Sequence, residues 1–522
     1  RRRHAAFGAG RAAGEVVRMN TRLAESIRDG DLLAAADIGS NSFHLIVARY
    51  EHGEPRVIDR LRDNIRLAAG LKSDGSLDNA HRDKALECLA RFGQRVRGLP
   101  PQRVRAVATN AVRRLRAPEQ FLAPAEAALG HAIEVVSGRE EARLIYLGVA
   151  HGIPDTPGRR LVVDIGGGST EFIIGEHLEP LKTESLQVGC VASTLRFFPD
   201  GKLSAKRWQQ AQTEIAVELQ QFAAAYRAFG WREAIGSSGT IRAIDAVLRD
   251  TGWSDAGITR AALARLRDAV LACGSVDRVA FPGLSADRAS IFAGGVAILE
   301  AAFAALELEH MRVAETSMRE GLLYDMIGRA EHRDPRDASI EALAHRYAVD
   351  REHAARVETC ALALFDDVAV AWQLGPAERD WLAWAARIHE IGLAIAHSQY
   401  HKHGAYIVEH SDLAGFASNE QHVLALLLRC QRRKPDAPAV RTLPERLRVP
   451  VARSVALLRL AILLGRAGDA RPAPVSLRAD ANHLHTDIDR TWLDTHPLTR
   501  ADLDQERGYL KALDIKMDIC AR

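Results

Sequence analysis

The chain has 522 residues, more than one hydrophobic core supports, so about two to four domains are expected. With 47% hydrophobic and 26% charged residues it has the composition of an ordinary globular protein. Its 70 basic and 67 acidic residues leave a formal charge of +3, which excludes a chain-wide nucleic-acid signature and makes any anion site a local one.

In chain order, "RRRHAAFGAGRAAGEVVRMN" is arginine-rich and has no apolar core of signal-peptide length, so residues 1–31 read as a disordered extension with Met19 as the start. "LLAAADIGSNSFHLIVARY" follows: an apolar strand ending in Asp37-Ile38-Gly39, a small polar turn Ser40-Asn41-Ser42, and a second strand from Phe43. Helical spacing in "HRDKALECLARFGQRVRGL", then "RVRAVATNAVRRL" and "AIEVVSGREEARLIYLGVA", predicts alternating strands and helices. "LVVDIGGGSTEFIIG" repeats the first device, with Asp164 and Glu171 flanking Gly166, Gly167, Gly168 and Ser169.

Only glycine takes left-handed backbone angles freely, and a turn stripped of side chains offers successive N–H groups to an anion such as phosphate. The flanking acids would repel a bare phosphate, but they suit a magnesium ion placed between carboxylate and phosphate oxygens. The bland alternative is a glycine hairpin with two solvated acids. Two copies of one device point to two related α/β domains, 32–146 and 147–329, with a ligand cleft between them. A third small turn, "AIGSSGTIRAI", follows a short strand and opens a helix, whereas the glycine pair in "FAGGVAILEAAF" reads as close helix packing.

A charged linker from Gly328 to Ser339 leads into residues 340–466, which are nearly all helix-periodic, with Pro376 opening one helix. Residues 467–522 read as a small appended α+β unit. No apolar run approaches the roughly 20 residues of a membrane span; "VALLRLAILLG", interrupted by Arg459, reads as a buried helix. Six cysteines without CxxC or CxxH spacing predict neither a zinc knuckle nor a disulfide framework, and fit a reducing cytoplasm.

Taken together, "DIGSNS", "SGREEARL", "DIGGGSTE", "GSSGT" and a helical tail containing "HEIG" resemble the exopolyphosphatase and guanosine-pentaphosphate phosphohydrolase family, from about Leu32 to the C-terminus. The resemblance implies the actin, hexokinase and Hsp70 superfamily fold, with two ribonuclease H-like domains closing on a phosphate chain. It also implies magnesium-dependent removal of a terminal phosphate from polyphosphate, from guanosine pentaphosphate, or from both. A homodimer in the cytoplasm, with peripheral association at the inner membrane, is a further expectation. No nucleic-acid partner is expected.

Hydrolysis of a phosphoanhydride requires an in-line water, a group to take its proton, and positive charge on the phosphoryl oxygens. The family pattern makes Glu141 the base, with Glu140 as fallback; two solvated acids at a helix start are the plain alternative. It gives Asp164 and Glu171 metal-binding or water-positioning roles and makes Asp37 a metal-side acid. Phosphate is assigned to Ser40, Asn41 and Ser42, to Gly166, Gly167, Gly168 and Ser169, and to Arg113, with Arg66 second. Gly236, Ser237, Ser238, Gly239 and Thr240 match a turn that contacts adenosine in nucleotide-binding relatives; here they are assigned to the phosphate chain or a guanosine.

The helical region carries His389, His397, His401, His403 and His410 and looks like a metal-dependent HD phosphohydrolase. The His-Asp pair of such domains is His389-Glu390 here, and only His353 stands upstream as a partner, so a degenerate HD-like domain is expected. Nearby Arg429, Arg432, Arg433, Lys434 and Arg441 form a charge cluster, which is either a solvated face or a track for an extended polyanion. Rival readings are a small-molecule kinase of the same superfamily and a silent polyphosphate-binding regulatory module. The kinase lacks a use for Glu141, and the binding module has no need of a general base.

Overall fold

The computed structural model describes residues 27–154, 157–331, 334–465 and 473–522; most of the N-terminal extension, including Met19, lies outside them. Among the described residues, fourteen strands form three sheets. The first contains β1 (Leu32–Ile38), β2 (Phe43–Glu51), β3 (Glu54–Asp63), β4 (Val104–Ala108) and β5 (Ile133–Val135), in the order β3-β2-β1-β4-β5. The second contains β6 (Arg160–Ile165), β7 (Thr170–Glu176), β8 (Glu179–Leu186), β9 (Glu233–Ser237), β10 (Ile258–Thr259) and β11 (His310–Val313), in the order β10-β11-β9-β6-β7-β8.

Each large sheet has an antiparallel three-strand meander whose first strand then pairs in parallel with the strand entered after a helical excursion. Order and direction match between the two, so the repeated hairpin in the sequence is the mark of a repeated fold.

β1 and β6 are apolar on both faces because both are covered. In β1, Ala34, Ala36 and Ile38 face an outer core shared with helices Asn79–Val96 and Glu119–Leu129, while Leu33 and Ala35 face inward. In β6, Leu161, Val163 and Ile165 face the second domain's own core, while Val162 faces the same inner core as Leu33. That inner core lies between the two sheets and is filled by helices Gly138–Gly152 and Met318–Ala330. These helices touch at their backbones: a Cβ at Gly148 would overlap Ser317 O, and one at Gly321 would overlap Leu144 O.

Three boundaries and one hydropathy reading differ from the expectation. The 146/147 division falls inside helix Gly138–Gly152, which packs on both sheets. Most of the charged linker is helical, in Met318–Ala330 and Pro335–Arg346. The C-terminal unit, with β12 (Val475–Asp480), β13 (His483–Ile488) and β14 (Lys516–Ala521), is not appended. Leu477, Leu484, Leu503 and Met517 join the same core as the helices from Pro335 onward. Helix Ala286–Ala305 is long and apolar enough to cross a membrane, contrary to the sequence reading, but most of it is buried in the second domain's core. The glycine pair inside it packs closely, Gly294 on Thr194 and Gly295 on Thr240. Helix Glu445–Gly465 is buried as expected, with Arg459 bonded to Glu506. All six cysteines are free.

Candidate active site

Side chains alternate across a strand, so Asp37 shares the inner face with Leu33 and Ala35, and Asp164 shares it with Val162. Both stand where their strands end, at the rim of the inner core, and the two turns that follow face each other. Antiparallel register sets His44 opposite Asp37 and Glu171 opposite Asp164. The equivalent position thus holds an imidazole in one half and a carboxylate in the other. The turns enclose a cavity of about 280 Å³.

The glycines serve this geometry in a way the sequence reading did not anticipate. None of Gly166, Gly167 or Gly168 adopts a left-handed φ. What excludes a side chain is the opposing turn: a Cβ at Gly168 would overlap Asn110 Oδ1, and one at Gly167 would press on Asn41. Gly166 N–H is used within its own turn, on Ser169 O.

Glu141 lines the cavity; Glu140 does not. Successive residues of a helix point about 100° apart. Glu140 turns away from the cleft and forks Arg143 at 2.7 and 2.8 Å, and it accepts the Gly415 N–H at 2.8 Å. Glu141 turns inward and accepts from Arg113 Nη1 at 2.9 Å, and the same Nη1 donates to Val136 O at 2.7 Å. Arg113 therefore holds Glu141 rather than lining the cavity.

Four carboxylates, Asp37, Glu141, Asp164 and Glu171, crowd here. Burial raises the Asp37 carboxyl to about 7, against Arg319 and with Glu141 and Asp164 adding to the rise. Burial also raises Asp164, which accepts from Ser317 Oγ at 2.9 Å, and raises Glu141 against the pull of Arg113. Glu171 is pushed well up by burial, then by Glu141 and Asp164. It accepts from Ser185 Oγ at 2.9 Å and sits behind Asp164 without reaching the cavity wall.

The positive charge comes from residues that no motif announced. Arg62, Arg242, Arg288 and Arg319 line the cavity together with Ser238, Gly239 and Thr240. Among the described residues, no carboxylate oxygen lies within ion-pair distance of Arg62, Arg288 or Arg319. Burial and the neighbouring Arg62 and Arg242 lower the Arg288 guanidinium to about 10. Its fork covers Gly239, where a Cβ would overlap it.

Burial and the surrounding arginines hold His44 far below the usual imidazole range, so it is neutral. Arg319 Nη1 donates to its Nδ1 at 3.0 Å, so Nε2 carries the proton and donates to Ser42 Oγ at 2.8 Å. The Ser42 hydroxyl hydrogen is then free to donate into the cleft.

The remaining assignments divide. Ser40, Asn41, Ser42 and Ser169 line the cavity with the glycines. Gly236 does not: it lies within β9, where a Cβ would overlap Ile241. Ser237 is fully buried and donates to Thr316 O, acting as a support. Arg66 is exposed and outside the lining; its backbone N–H, on Asn41 O at 2.7 Å, braces the first turn. In the basic cluster, Arg429 is paired with Asp436 and Arg432 lies over Tyr400. Arg432 and Arg433 line a separate small cavity that shares no residue with the cleft, and Lys434 and Arg441 line neither.

Several buried polar atoms at this cleft have no protein partner: Asp37 Oδ1, Ser40 Oγ, Asn110 Oδ1 and Arg113 Nη2. Hard carboxylate oxygens short of countercharge fit a divalent cation of the magnesium type, and the partner-free hydroxyl and guanidinium groups across from them fit phosphoryl oxygens.

Comparison with known proteins identifies the family of the chain. The Ppx/GppA phosphatase family model matches residues 46–330, and the model of its domain III matches residues 336–507. A guanosine-5'-triphosphate,3'-diphosphate pyrophosphatase of Aeromonas hydrophila is 37% identical over 91% of this chain and 96% of its own. The protein of the same name from Aeromonas salmonicida is 36% identical over 92% and 97%. An exopolyphosphatase of Cytophaga hutchinsonii superposes with a TM-score of 0.53 at 24% identity, covering 57% of this chain and 98% of that one.

Proposed function

Because the chain belongs to the Ppx/GppA phosphatase family and is a hydrolase of that family, we propose that it is an exopolyphosphatase that removes the terminal phosphate of inorganic polyphosphate. The observation that carries this reading is the composition of the cleft. Buried acids stand on one side and unpaired guanidinium groups on the other, and no Phe, Tyr or Trp lines the cavity to receive a base.

In this reading the terminal phosphoryl group sits between the turns at residues 39–42 and 166–169. Ser42 donates its free hydroxyl hydrogen to it. Arg319 and Arg288 meet its equatorial oxygens, where charge spreads in the transition state. Glu141, held by Arg113, takes the proton of the attacking water. Asp37 and Asp164, with Glu171 behind them, would hold a magnesium ion, which supplies charge neutralisation to the phosphate oxygens.

A second reading is hydrolysis of guanosine pentaphosphate at its 5'-triphosphate, favoured by the activity for which two near-full-length relatives are named. The test is phosphate release with magnesium from long-chain polyphosphate and from guanosine pentaphosphate, for the wild type and Glu141→Gln. Faster turnover of polyphosphate, abolished in the variant, supports the first reading. Faster turnover of guanosine pentaphosphate moves the assignment to the second, and binding of either without release returns the silent module.

A further inference from the structure

The histidine-rich helical region contains a second constellation, which shares no residue with the cleft. His353 lies in the first turn of helix Arg351–Val368, where its N–H donates to the Asp350 cap at 2.9 Å. His389 and Glu390 follow helix Pro376–Ile388. The sequence left His353 without a clear place, but the fold brings these helices together through Val357, Ala361, Leu382 and Ala385, so all three side chains meet. One donor atom from each lies within 4.8 Å of the others.

The protonation pattern favours a cation at the meeting point. His389 is fully buried, and its Nδ1 lies 2.8 Å from Ala386 O, which can only accept. The ring proton is therefore on Nδ1, and the Nε2 lone pair is turned toward Glu390, in the manner of an imidazole ligand oriented by a backbone carbonyl. Gln431 Nε2 donates to the His389 carbonyl at 2.7 Å and fixes the ring's backbone. Glu390 Oε1 lies 3.8 Å from His353 Nε2 and 3.9 Å from His389 Nε2, beyond a hydrogen bond in both cases. Donors bound to one tetrahedral zinc ion stand about 3.4 Å apart; the carboxylate is already within about half an ångström of that spacing from each imidazole, and the two imidazoles, within 4.8 Å of each other, close by side-chain rotation.

We propose that His353, His389 and Glu390 bind a divalent first-row transition ion of the zinc type. Two imidazoles and one carboxylate are the wrong donors for magnesium and leave a fourth position for water. His353 and Glu390 are part-exposed, which gives the ion a way in. Bound there, the ion ties the start of one helix to the end of the next. The proposal stands apart from the assignment of the cleft, because it uses none of the same residues.

The test uses the full chain, stripped with chelator and dialysed against zinc in excess magnesium, which occupies the hard oxygen site. Metal content is read by mass spectrometry, and cobalt substitution is read by visible absorption. The wild type is expected to hold one equivalent of zinc, to show tetrahedral cobalt bands, and to melt at higher temperature with zinc. Glu390→Ala and His353→Ala are expected to lose all three effects while keeping their phosphate release; both alter part-exposed side chains rather than the buried His389. A second cluster, the more exposed Asp480, His483 and His485, serves as the control. Zinc lost in His485→Ala but kept in Glu390→Ala overturns the proposal, as does a wild type that holds none.

Discussion

Glu140 and Glu141 are neighbours on one helix, both buried, and they serve opposite ends. Glu140 belongs to a junction where Asp325, Glu134 and Glu140 are matched by Arg105, Arg143 and Arg329. Arg143 meets Asp325 at 2.5 Å, Arg329 meets it at 2.7 Å, and Arg105 bonds both Asp325 and Glu134. Through Gly415, which donates to Glu140 and accepts from Arg329, this network joins both α/β domains to the helical one. Glu141 belongs to a cleft where four acids share little countercharge. At the junction every acid has guanidinium partners; in the cleft Arg113 bonds Glu141 alone, and among the described residues Asp37, Asp164 and Glu171 have no ion-pair partner. In this protein the two cases are separated by a single helical step.

The strongest way to break that contrast is Glu141→Gln. Phosphate release is expected to fall by roughly 10²–10⁴-fold with circular dichroism unchanged, because a positioned base contributes about that much. The matching change at the junction, Asp325→Asn, leaves three guanidinium groups short of charge. It is expected to cost about 3–5 kcal/mol of stability, read as a lower urea midpoint, since breaking one partner strands a buried charge. Arg288→Ala removes one unpaired cation of the cleft. KM for the phosphate substrate is expected to rise about 10–100-fold, the value of a charged hydrogen bond of roughly 1.5–3 kcal/mol.

The two regions should also respond to pH in opposite senses. Asp37, raised to about 7 chiefly by burial, binds its proton more tightly folded than unfolded. Metal-free protein should therefore lose stability as pH rises from about 4 to about 7, and magnesium or Asp37→Asn should flatten that limb. Asp325, although buried, is held well below the usual range by Arg143, Arg329 and Arg105. Its contribution is complete above about pH 4 and fades as pH falls further. Thermal melts across pH, with and without magnesium, read both limbs. The smallest effect is expected at Arg66: Arg66→Ala should leave kcat/KM within about threefold, because its backbone rather than its side chain serves the first turn and surface changes rarely exceed about 0.5 kcal/mol.

By itself the sequence determined the repeated strand-turn-strand device, the two α/β halves, the helical tail and the acids Asp37, Asp164 and Glu171. Period-2 alternation beside a small-residue turn is local, and local patterns survive in one dimension. Nothing in the motif marked His44, which the strand register of the folded sheet sets opposite Asp37. The tertiary structure separates Glu140 from Glu141, a choice the family pattern made without a physical reason, because a helical step has meaning only once both faces of the helix have neighbours. It also replaced the left-handed-turn account of Gly167 and Gly168 with contact across the cleft, and moved Gly236, Ser237 and Arg66 from ligands to supports. Arg62, Arg288 and Arg319 come from three distant segments of an arginine-rich chain, and His353 meets His389 and Glu390 only across a helix pair. Charge and metal geometry of this kind depend on distances between segments far apart in the chain, and those distances exist only once the cores between the segments have packed.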